Sequence, residues 1–303
     1  MKKLSLLVLC VFVLSCAPVQ AKTGDVVGHV YSSDIVAYID DMPIPSYNIG
    51  GTTCVSENDL AKYGFELYWN ADERVLLIGC GEKPTTAPAV TIEKETPGKI
   101  VGDIYETDIM TYIHILYDFI PIQSYNIGGE TMIPLEELRQ DSNTFYGYPN
   151  REIGYSNYGF KIVWDAKNRT IKVNTLRKGC SVTTKYGTYP IVDTCRFYDR
   201  GSDTIVLTDK DIEYSNLNEV FKSSSITPSW ENNMLTLNDV TKKSLIFYGG
   251  GSHTDASFTL LPMIEVPVSI NDNGVTKKFM IHLIVSDGKF YTNPEEWKPY
   301  LVS

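Results

Sequence analysis

Few residues in this chain are able to carry out chemistry, and they are scattered. The four histidines, His29, His114, His253 and His282, include no pair at ligand spacing such as H-x-H or H-E-x-x-H, so no metal site is expected. Ser252, His253 and Asp255 follow three glycines, Gly249 to Gly251. A working Ser-His-Asp triad is gathered from separate elements, and no G-x-S-x-G elbow or phosphate loop occurs. The stretch therefore reads as a flexible loop. The acidic pairs Glu57/Asp59 and Glu136/Glu137 fall where helices should begin. The macrodipole favours carboxylates there, which makes them helix-start residues and not acid–base partners. No catalytic, metal or cofactor-binding residue is assigned, and no cofactor is expected.

Two other sets invite a role. Cys54, Cys80, Cys180 and Cys195 lie beyond the apolar N-terminus, an even number that suits disulfides in an exported chain. The expected pairs are Cys54–Cys80 and Cys180–Cys195, the second flanking a turn at Tyr186-Gly187; the competing reading is four buried free thiols. Tyr47 with Asn48, and Tyr125 with Asn126, could stack on sugar rings and bond their hydroxyls. The competing reading puts these tyrosines in the core and has the asparagines cap turns. Trp69, Trp164 and Trp230, each just before a hairpin turn, read as core anchors.

The export reading rests on the N-terminus. Lys2 and Lys3 precede an apolar stretch from Leu4 to Leu14, and Val19-Gln20-Ala21 forms a small-residue cleavage site. The stretch is too short to span a bilayer, so residues 1–21 read as a cleaved signal peptide. The alternative is a lipoprotein signal ending at Cys16, because Val13-Leu14-Ser15-Cys16 approaches a lipobox. No later apolar run is long enough for a membrane helix. The formal net charge of −10 disfavours nucleic acid as a partner.

What must position these residues is a repeated unit. Val26 to Ile39 recurs as Ile100 to Ile113, and Ser46-Tyr47-Asn48-Ile49-Gly50-Gly51 returns unchanged as Ser124-Tyr125-Asn126-Ile127-Gly128-Gly129. Tyr63-Gly64-Phe65 and Trp69-Asn70-Ala71 return as Tyr158-Gly159-Phe160 and Trp164-Asp165-Ala166. The polar, Tyr-rich stretch 139–157 is an insertion in the second copy, read as a surface loop. Within a copy, alternation at residues 35–39 marks a strand, and Gly50-Gly51 marks a turn. Ser56-Glu57-Asn58-Asp59 has N-cap spacing for a short helix that Gly64 would end. Residues 65–69 and 74–78 form a closing hairpin. The unit reads β-β-β-α-β-β. The hairpin pattern appears a third time at 226–237, within a degenerate third unit from about Lys178 to Asn238.

In this order, with Thr131-Met132-Ile133-Pro134-Leu135-Glu136-Glu137-Leu138 and Tyr158-Gly159-Phe160-Lys161-Ile162-Val163-Trp164-Asp165, the chain resembles the copper amine oxidase N-terminal-like domain. This is the "stalk" domain of exported bacterial proteins. The first copy departs at Cys54-Val55-Ser56-Glu57, which lacks the proline. The resemblance implies small tandem domains, each an antiparallel sheet of about five strands wrapped on one short helix. The copper and quinone chemistry belongs to a separate oxidase domain that nothing here resembles. The expected class is thus α+β, with units at 22–84 and 99–177, a linker between them at about 85–98, and a mostly β region over 178–303. The expected function is a non-enzymatic spacer or interaction module, secreted or held at the bacterial envelope, contacting cell-wall glycan or another surface protein. The alternatives are a glycan or peptidoglycan binding module using exposed Tyr and Trp, and an enzyme hidden in residues 179–303.

Overall fold

The computed structural model describes residues 21–92, 94–115, 118–139, 159–199, 204–207, 212–238, 245, 247, 258–272, 274–286 and 288–301. Most of the expected signal segment, the loop containing Ser252, His253 and Asp255, and nearly all of the 139–157 insertion lie outside them. The chain is α+β and dominated by antiparallel strands, with short helices.

The first copy runs β1 (Val26–Tyr31), β2 (Val36–Ile39), β3 (Met42–Ile44), β4 (Tyr47–Ile49), β5 (Thr52–Ser56), α1 (Glu57–Lys62), β6 (Phe65–Asn70) and β7 (Val75–Cys80). The second repeats this order with β8 (Ile100–Tyr105), β9 (Met110–Ile115), β10 (Asp118–Ile122), β11 (Tyr125–Ile127), β12 (Glu130–Pro134), a 3-10 turn at Leu135–Arg139, β13 (Phe160–Asp165) and β14 (Thr170–Thr175). Residues 43–49, which by pattern read as one second strand, are split into β3 and β4 around Pro45, and Val26–Tyr31 adds a strand at the start. Ser56 caps α1, its Oγ accepting the Asn58 N–H at 3.1 Å.

The pairing runs between the copies as much as within them. Strands β1, β4 and β5 of the first copy join β12, β11 and β8 of the second in one closed barrel. Closing strand β7 pairs in parallel with β9 of the second copy, while β14 pairs in parallel with β2 of the first. The two four-stranded sheets, β10-β9-β7-β6 and β13-β14-β2-β3, therefore each contain strands of both copies. Separate five-stranded sheets, one per copy, do not form. The reason lies in burial: Ala37, Ile39, Ile78, Ile113 and Val173 share one core with Leu60, Leu138 and Phe160, so neither copy encloses its apolar face alone. A second, smaller core of Val30, Ile49, Cys54, Ile104 and Met132 fills the barrel.

The C-terminal region adds β15 (Ser181–Thr184), β16 (Gly187–Asp199), β17 (Thr204–Leu207), β18 (Ile212–Asn216), α2 (Leu217–Ser223), β19 (Ser229–Glu231), β20 (Met234–Asn238), β21 (Phe258–Asp272), β22 (Val275–Ser286), β23 (Lys289–Thr292) and α3 (Pro294–Leu301). They form one nine-stranded sheet, which an extra β16–β21 pairing closes upon itself. The third closing hairpin, β19–β20, turns at Asn232-Asn233, both at positive φ, and β20 pairs in parallel with β21 as β7 does with β9. Trp297 of α3 is fully buried, and its indole N–H donates to Thr292 Oγ1 at 2.7 Å.

Candidate binding surface

Trp69 and Trp164 are not core anchors. They are 45% and 47% exposed. Strand parity explains both the expectation and its failure. Phe65, Leu67 and Trp69 share the inward face of β6, but Trp69 sits at the far end of the hairpin, past the edge of the core. Trp164 holds the same place on β13. Trp230, by contrast, stacks on Tyr186 with centroids 4.6 Å apart and packs against the C-terminal core.

Each exposed indole has the same surroundings, built from both copies. The Arg74 guanidinium lies over the Trp69 ring, 5.9 Å from its centroid, and Arg74 Nε donates to Asp108 at 2.6 Å. Arg169 lies 5.7 Å from the Trp164 centroid and makes a forked contact to Asp34 at 2.6 and 2.9 Å. In both hairpins the arginine is the last turn residue and adopts φ +54. A non-glycine residue in that region is strained by roughly 1–3 kcal/mol, and here the strain is repeated. Arg169 also holds the Asp34 carboxyl below its ordinary range, through hydrogen bonding. Sequence reading missed these Trp–Arg–Asp stations because the aspartate comes from the opposite copy. The recurring Asp34-Ile35 and Asp108-Ile109 were the available signal.

The outer face of the β10-β9-β7-β6 sheet adds aromatic surface. Tyr68 stands beside Leu77, which stands beside Tyr112, and one row along Phe119 stacks on His114 at 4.7 Å. Tyr68 and Phe119 are 63% and 56% exposed.

The other expected residues take structural places. Asn48 Oδ1 accepts from Gly51 N–H and Asn126 Oδ1 from Gly129 N–H, so both asparagines close their Gly-Gly turns. Tyr47 is exposed on the barrel while Tyr125 packs partly against its core, and burial raises both phenols. Glu57 and Glu136 do begin their helical turns, yet burial raises both carboxyls, outweighing hydrogen bonds from backbone N–H groups. His29 bonds Asp103, and His282 lies between Glu265 and Glu296. No cluster of three or more metal-ligating side chains occurs among the described residues.

Among the described residues no disulfide joins Cys54, Cys80, Cys180 and Cys195. Cys54 lies in the barrel core and Cys80 against the shared core of the copies. Cys180 is level with Ile191, whose N–H it accepts, and Cys195 lies four residues farther along β16, roughly 13 Å at ordinary strand rise. Neither expected pair is bonded among the described residues.

One buried ion pair ties the units. Arg177 donates to Asp40 Oδ2 through Nε at 3.0 Å and Nη2 at 2.8 Å, and Nη2 also reaches the Tyr63 carbonyl at 2.7 Å. Thr175 supplies Asp40 with its backbone N–H and its hydroxyl. No helix among the described residues is long and apolar enough to cross a membrane. No known family, no curated protein and no solved structure matches this chain.

Proposed function

We propose that this protein is an exported, non-catalytic interaction module of the bacterial envelope that holds glycan through its exposed aromatic residues. The observation that carries the reading is the paired Trp–Arg–Asp station. An indole with one open face stacks on the apolar face of a sugar ring, while an adjacent guanidinium and carboxylate donate to and accept from ring hydroxyls. Two such stations on one chain engage a polymer with an avidity neither has alone. The likeness of the repeat to stalk domains supports the modular, non-enzymatic part, and the N-terminal signal pattern supports export.

The test is sedimentation of the mature chain with purified cell wall, followed by the same assay on soluble polysaccharides. Saturable binding that falls at least about tenfold in the Trp69→Ala, Trp164→Ala double variant is expected. Absence of saturable binding, or binding that ignores both substitutions, leaves the spacer role and removes the glycan role.

A further inference from the structure

The two four-stranded sheets place equivalent residues in equivalent rows, so each serves as a control for the other. Across β6, β7, β9 and β10, one outward row reads Tyr68, Leu77, Tyr112 and Pro121. The matching row across β13, β14, β2 and β3 reads Val163, Lys172, Tyr38 and Pro43. A lysine stands there in place of Leu77. Its ammonium lies 5.6 Å from the centroid of the Tyr38 ring and pairs with Asp41 at 2.9 Å. The fold therefore accepts a charge at that place, and the apolar row of the first sheet is no demand of the repeat. Flanking rows extend it, with Met110 49% exposed on one side and Phe119 on the other. Exposed apolar surface gathered in one place marks a contact site.

Spacing and charge select the occupant. Tyr68 and Tyr112 lie two strands apart on one face, which sets their backbones about 9.6 Å apart. The smaller Leu77 floors the gap between them. In cellulose and chitin, equatorial bonds join each ring at opposite positions, and each ring is flipped relative to the last. A ring advances by about one strand spacing, so like faces recur at about two, the separation of the tyrosines. An α-linked chain coils and does not present like faces along a line. The row itself carries no charged side chain, and the formal net charge of the chain is −10. An uncharged polymer is thus accepted where a polyanion is repelled.

We infer that this face binds an extended, uncharged, β-linked polysaccharide laid across the strands, with alternate sugar rings stacked on Tyr68 and Tyr112. The glycan reading above, on which this rests, is thereby narrowed to one class of polymer, at a face distinct from the Trp–Arg–Asp stations.

The experiment is depletion of the mature chain, residues 22–303, from solution by microcrystalline cellulose, by chitin and by granular starch, whose chains are α-linked. Saturable binding to cellulose or chitin is expected, at least about tenfold tighter than to starch. Tyr68→Ala combined with Tyr112→Ala should weaken it by about tenfold or more. Leu77→Lys installs the residue found at the matching place of the second sheet. It should weaken binding as much while leaving the melting temperature unchanged. Tyr38→Ala should bind like the parent chain. The inference is overturned if neither cellulose nor chitin is bound, if starch is bound equally well, or if Leu77→Lys binds like the parent. Cell-wall binding that is lost in the Trp69→Ala, Trp164→Ala variant but ignores Leu77→Lys overturns this face and leaves the glycan reading standing. No binding to wall, cellulose or chitin removes both.

Discussion

At the scale of single residues, the exposed tryptophans set the first expectation. A core tryptophan replaced by alanine costs roughly 3–5 kcal/mol. Trp69 and Trp164 instead contribute an exposed cation–π contact worth about 0.5–1 kcal/mol, so each Trp→Ala change should lower stability by no more than about 1.5 kcal/mol. Urea unfolding of the two variants measures this. A loss above about 3 kcal/mol in either would return that residue to the core. Glu57 makes a second case. Its Oε2 is buried without a partner, and burial raises its carboxyl above the ordinary value. A raised folded-state pKa means the favourable contribution is present below the unfolded value, about 4.3, and is lost as pH rises through the folded one. Glu57→Gln removes that loss. The variant should match the parent near pH 4 and exceed it at pH 7, and equal stability differences at the two pH values would contradict the burial argument. Cys54 and Cys80 make a third. Burial pushes both thiols up to about 12, so iodoacetamide should leave both unmodified in the native chain and label both after denaturation.

At the scale of elements, much was legible in the sequence. Ser56 caps its helix as the spacing requires, and Gly50, Gly51, Gly128 and Gly129 all take positive φ in the repeated turns. The closing hairpins fall where alternation around Asn70 and Asp165 puts them. Alternation tells which face of a strand is apolar; it does not tell which strand lies beside it. That is why the exchange of β7 and β14 between copies was not legible, and with it the Trp–Arg–Asp stations and the row from Tyr68 to Tyr112. Nor does parity show where a core ends, which is how Trp69 and Trp164 were misplaced. The two glycine classes offer a clean contrast. A Cβ on Gly64, at φ +84, would lie 2.0 Å from the Glu82 carbonyl, whereas one on Gly50, at φ +60, meets nothing. Gly50→Ala should cost about 1–2 kcal/mol from backbone strain alone. Gly64→Ala should cost clearly more, since the Glu82 backbone must also move. Equal losses in chemical denaturation would show that the backbone yields freely at Glu82.

At the scale of the molecule, the copies complete each other. A fragment of residues 22–98 keeps β2 and β7 but loses their parallel partners β14 and β9. It should show no cooperative unfolding transition as a monomer, and a monomer that melts cooperatively would mean one copy suffices. The Asp40–Arg177 pair belongs to this scale, since it fastens the first copy to the segment leading into the C-terminal sheet. Asp40→Asn leaves a buried guanidinium without its counter-charge and should cost about 3–5 kcal/mol. The same exchange also governs the order of events during synthesis. Asp40 and Thr175, hydrogen-bonded in the finished structure, are 135 residues apart, and β2 has no β14 beside it until that length of chain has emerged. Contacts so distant in sequence form late, and an open strand edge is prone to the wrong partner while it waits. A chain made from its N-terminus therefore presents its first half early and with that edge uncovered. Slow synthesis should favour aggregation, and a chaperone that shields strand edges should relieve it.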